Sequence, residues 1–116
     1  MITSNRGLVR TRRPLEVERS RKIQDILLLY ASTLAALLEF LPPEASFEVE
    51  DLSVEFRRGT KRAFIEILFR PTPRVIVTTV LDNLFIPLCV TPHQIWLLQK
   101  SEDMAQAVMG VRDWLA

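Results

Sequence analysis

Apolar residues recur at helical spacing from Ile23 to Leu41, and they wrap much further around the helix than one buried face requires. One seam reads Ile23, Leu27, Tyr30, Leu34, Leu37 and Leu41, and a second beside it reads Leu28, Ala31, Ala35 and Leu38. Ile26 and Phe40 widen the stripe, so the polar remainder is a thin line of Asp25, Ser32 and Glu39. At 100° per residue the apolar arc covers roughly 200°, about twice the stripe of an ordinary surface helix. Pro14 suits the first helical turn, where a missing N–H leaves no bond unmade, and Glu16 and Glu18 favour the positive end of the helix dipole. Pro42 and Pro43 end the helix, because proline breaks the hydrogen-bond ladder and biases the residue before it away from helix.

The pattern then changes to period two. Phe47 and Val49 alternate with Glu48 and Glu50, but the apolar phase jumps to Leu52, Val54 and Phe56. The simplest account is one strand with an extra residue near Asp51, a bulge. The next strand has Ala63, Ile65, Ile67 and Phe69 on one face and Phe64, Glu66 and Leu68 on the other. Between the two, Arg57 to Arg62 forms a basic hairpin tip, with Gly59 available for a positive-φ position.

Arg70-Pro71-Thr72-Pro73-Arg74 makes a stiff connection into Val75–Leu81, the most β-prone segment and apolar on both faces. Asp82-Asn83 suits a two-residue turn into a strand over Leu84–Val90, where Pro87 argues for an edge or a break. Thr91-Pro92 punctuates, and Ile95–Leu98 reads as one more short strand. Ser101 suits the cap of a last helix with Glu102 and Asp103 in its first turn. Met104, Val108, Val111 and Leu115 form its inner stripe, Trp114 lies alongside, and Gly110 weakens it.

The expected class is therefore α+β: a long N-terminal helix, an antiparallel meander of four or five strands, and a C-terminal helix packed on the sheet. A central strand apolar on both faces requires cover on both sides, either one helix per face or both helices on one face and a partner on the other. Residues 14–116 form the single domain, preceded by a flexible arginine-rich arm over residues 1–13.

A chain of 116 residues with 48% hydrophobic and 25% charged content supports one core and leaves no room for two. The net charge is only +1, yet basic charge is concentrated. Arg6, Arg10, Arg12 and Arg13 sit in the arm and Arg57, Arg58, Lys61 and Arg62 in the tip, with no acid in either stretch. The single cysteine, Cys89, excludes an internal disulfide and fits a reducing, cytoplasmic setting. Ile26–Leu41 is shorter than the roughly 20 residues a membrane span needs and contains Glu39, so no transmembrane segment is expected.

Catalytic chemistry finds little support. Cys89 and His93 form the one nucleophile–base pairing to consider, but no third orienting group is evident, and Leu88-Cys89-Val90 reads as apolar packing. Two ligands fall short of the four a structural zinc takes. The acids Glu44, Glu48, Glu50, Asp51 and Glu55 fit the solvent face of a strand better than a paired-carboxylate hydrolase site. Gly7, Gly59 and Gly110 are too far apart for a phosphate loop. No catalytic residue, metal, cofactor or small-molecule substrate is thus expected.

The expected function is that of a non-enzymatic adaptor or regulatory domain that self-associates, most simply as a dimer, or docks a protein partner. Its contact row is Leu28, Ala31, Ala35 and Leu38, whose two alanines let another helix approach closely. The alternative is nucleic-acid binding through Arg10, Arg12, Arg13, Arg57, Arg58, Lys61 and Arg62. Against it, no exposed aromatics interleave with these charges to stack on bases.

Overall fold

The computed structural model describes residues 14–82 and 90–116. The arm at 1–13, the Asn83 half of the expected turn, the Leu84–Val90 strand up to residue 89 with its Pro87, and Cys89 lie outside the described residues. Within them, α1 (Pro14–Glu39) leads into β1 (Ser46–Glu50), β2 (Ser53–Arg58), β3 (Lys61–Leu68), β4 (Arg74–Asp82) and β5 (Val90–Leu98). A 3₁₀ turn at Ser101–Asp103 then opens α2 (Met104–Leu115). The strands pair antiparallel in chain order, β1-β2-β3-β4-β5, so the sheet is the expected meander.

Two strand boundaries differ from expectation. The phase jump after Val49 is not a bulge but a hairpin: Glu50 pairs with Ser53, and Asp51-Leu52 forms the turn with Asp51 at φ 25°. A change of strand flips the pleat just as an inserted residue does, so the two are indistinguishable in a hydrophobic pattern. Conversely, Thr91-Pro92 does not interrupt β5. Pro92 is accommodated because β5 is an edge strand, and the irregularity falls beside it: Thr79 pairs with Gln94 and Val80 with Pro92, leaving His93 as the extra residue of a bulge. The tip forms as expected, with Arg58 opposite Lys61 and Gly59 at φ 62°. Arg74 clamps the β3–β4 connection by donating from Nη1 to the carbonyl oxygens of Arg70 and Thr72, each at 2.9 Å.

The register stacks the apolar positions on one side. Val54, Ile65, Val77 and Trp96 form one cross-strand row, Phe56, Ala63 and Thr79 the next, and Ile67, Val75 and Leu98 a third. Both helices pack on this face, against β3 and β4 and against each other. Among the described residues no helix lies on the opposite face. There Phe64, Leu68 and Ile76 are half-buried by their sheet neighbours, and Ile95 and Leu97 are exposed.

α1 turns its core row differently from the expected first seam. The buried residues are Ile26, Leu29, Thr33 and Leu37, while Tyr30, Leu34 and Leu41 are only partly covered and Leu27 is 44% exposed. Thr33 enters the core because its hydroxyl donates to the Leu29 carbonyl at 2.7 Å, which leaves no polar group unmatched there. A threonine so satisfied is invisible to an apolar pattern.

α2 buries Ala107, Val108, Val111 and Leu115, with Met104 and Trp114 at its margins. Ser101 does not cap it; the Asp103 carboxylate instead closes the turn before it. Gly110 is also more than a weak point. A Cβ at this position would overlap the six-membered ring of Trp96 on β5, so the missing side chain lets the helix seat on the sheet. Gly110→Ala gains about 1 kcal/mol of helix propensity, but overpacking costs about 1–3 kcal/mol. We expect a net loss of stability in urea unfolding; a gain would show that Trp96 does not fill this space.

Candidate functional site

Among the described residues, no element packs on the apolar outer side of α1. Ala31 and Ala35 each stand two residues from buried Thr33, and at about 100° per residue both point to the far side of the helix. They are exposed, as are Leu28 at 66% and Leu38 at 40%. The four residues expected to form a contact row thus share one solvent-facing strip, and the 44% exposed Leu27 extends it.

Beside Leu28 the strip borders a groove of about 440 Å³. α1 contributes Asp25, Leu28, Leu29 and Ser32 to it, and the segment entering α2 contributes Gln99, Lys100 and Met104. That segment is pinned by Asp103, whose Oδ2 accepts the backbone N–H groups of Gln99 at 3.0 Å and Lys100 at 3.2 Å. These bonds, chiefly the one from Gln99, hold the Asp103 carboxyl below its ordinary value.

A depressed carboxyl value makes a stabilising contribution that is complete above the unfolded-chain value near 3.9 and is lost as pH falls through the lower folded value. Asp103→Asn is therefore expected to melt at lower temperature than the parent chain at pH 7, with the difference shrinking at pH 3. An unchanged difference across that range would mean that the carboxylate charge does not hold the turn.

The basic tip is largely self-neutralised. Arg57 meets Glu55 at 3.1 Å and Asp82 at 3.3 Å, while Arg62 meets Asp82 at 2.8 Å and Glu55 at 3.6 Å, closing a ring of two cations and two anions. Arg58 faces Glu44 at 3.5 Å and donates to the Leu115 carbonyl at 2.8 Å, tying the tip to the end of α2. Lys61 lies over the Trp114 ring at 5.1 Å. Asp82 and Leu115, 25 and 57 residues from the arginines they meet, were not foreseeable as partners of this hairpin. Arg10, Arg12 and Arg13 lie outside the described residues.

His93 is stacked on Trp114, ring centroids 4.0 Å apart, and its Nδ1 lies 3.2 Å from the Thr79 hydroxyl. Trp114 in turn donates from Nε1 to the carbonyls of Arg62 and Val80, so this cluster fastens α2 to the sheet. Among the described residues no three His, Cys, Asp or Glu side chains are grouped to hold a metal ion. No helix among them is long and apolar enough to cross a membrane. No protein-family model matches the chain, and neither a curated protein nor a solved structure matches it.

Proposed function

We propose that this is a non-enzymatic interaction domain, an adaptor or regulator in a reducing compartment such as the cytoplasm, that binds a protein surface through the outer side of α1. The observation that carries the reading is the exposure of Leu28, Ala31, Ala35 and Leu38 on a single helix strip turned away from the core. Water contact with such a strip is relieved by covering it, and the two alanines permit a close helix approach. The open sheet face also exposes Ile95 and Leu97, but it shares its surface with Glu48, Glu50, Glu55 and Glu66, a poorer setting for apolar docking. The nucleic-acid alternative has less support, since Arg57, Arg58 and Arg62 already face carboxylates.

Ala35→Glu is expected to change stability by no more than about 0.5 kcal/mol, as befits an exposed site, and to abolish association. Association is read by light scattering on the purified chain and by photo-cross-linking from a benzophenone side chain at Ala31 in producing cells. A folded Ala35→Glu chain that keeps the parent's adducts, or a parent that neither associates nor forms adducts, overturns the reading.

A further inference from the structure

β1 is the regular edge of the sheet. It pairs with β2 without a break from Ser46 to Glu50, has no strand on its other side among the described residues, and is exposed at all five positions. Backbone N–H and C=O groups on the outer side of an edge strand have no partner within the sheet, and an extended segment can take them up as an added strand. The opposite edge is a poorer place for this, because Pro92 removes a donor from β5 and the bulge at His93 breaks its spacing.

The two sides of β1 differ in chemistry. Phe47 and Val49 stand beside Phe56 and Val54 on the helix side of the sheet, yet they are 54% and 64% exposed, since the helices pack on β3 and β4. On the open side stand Glu48 and Glu50, with Glu55 beside Glu48 and Glu66 beyond Ser53 on β3. Among the described residues Glu48, Glu50 and Glu66 enter no ion pair. The cations of this side are Arg57, opposite Ser46, and Arg62, opposite Arg57, and Glu55 and Asp82 already hold both. No basic residue occurs from Ser46 to Phe56.

We propose that β1 receives a further strand from a partner protein, an extended segment in which basic and apolar residues alternate. Its apolar residues continue the row of Phe47 and Val49, and its basic residues stand beside Glu48 and Glu50, where opposite charges on neighbouring strands attract. A second copy of β1 fits worse, since it brings another row of carboxylates to the same edge. This edge is separate from the outer strip of α1, so the two readings stand or fall independently.

The probe is a short fluorescent peptide alternating arginine with valine, titrated with the full-length chain and followed by anisotropy. Two peptides serve as controls, one of the same composition with its arginines consecutive and one alternating glutamate with valine. The alternating arginine peptide is expected to bind, the consecutive order to bind more weakly, and the glutamate peptide not to bind. Glu48→Lys combined with Glu50→Lys is expected to weaken binding roughly tenfold, as two exposed attractions become repulsions, in a chain that thermal melts show to be folded. Hydrogen exchange is expected to slow at β1 when the peptide binds. Absence of binding, equal binding of the two arginine orders, or binding that leaves exchange at β1 unchanged overturns the added strand. A free chain in which β1 exchanges as slowly as β3 overturns the outside partner: the occupant is then the chain's own arginine-rich arm if the slowing is independent of concentration, and a second copy if it grows with concentration.

Discussion

Everything in this molecule follows from both helices lying on the same side of one sheet. The inner rows of β2, β3 and β4 are apolar except for Thr79, and they are the part of the chain that water must be kept from. α1 and α2 share that work side by side, each giving one stripe to the sheet and a margin to the other. The close seat of α2 depends on the bare backbone at Gly110 beneath Trp96, and its far end is tied down by Trp114 and by Arg58 on the Leu115 carbonyl. Had the helices taken opposite faces, the second seam of α1 would still lack a partner, but the sheet would have none of its present open surface.

The outer strip of α1 gains its meaning from that arrangement. A helix that meets a sheet and one neighbouring helix has roughly half its circumference covered, and α1 carries apolar residues on more than that half. The strip is therefore surplus to packing on the sheet and on α2, and it faces solvent. The Asp103 carboxylate, by holding Gln99 and Lys100, shapes one wall of the groove beside it. A helix surface and a charged pocket rim become one feature only because a hairpin meander brings residue 100 back to residue 28.

The basic tip shows the opposite case, a conspicuous feature of the chain that folding subdues. Four cations between residues 57 and 62 suggest an electrostatic surface, yet the sheet sets Glu55 and Asp82 among them and the ring of charges closes on itself. Arg57 is exposed, so its pairs add little stability, while Arg62, Glu55 and Asp82 are half-buried. The effect of the ring is to lower the positive field that a phosphate backbone would meet.

What the linear order of residues determined here is everything that depends on near neighbours: the helix ended by Pro42-Pro43, the period-two strands, the Gly59 tip and the inner stripe of α2. That Leu28, Ala31, Ala35 and Leu38 lie on one face of α1 was also legible, since residues three and four apart share a helix face whatever surrounds it. Which side of α1 faces the core was not, because an almost uniformly apolar helix has no preferred inward side by pattern alone. Tertiary structure decided that by admitting Thr33, matched by its own backbone, and by turning Leu27 out. It also decided the hairpin at Asp51-Leu52, the need for glycine at 110 and the pairing of Asp82 with the tip. Each of these depends on groups brought together by strand pairing or helix docking, and such distances are set only when the chain closes on itself.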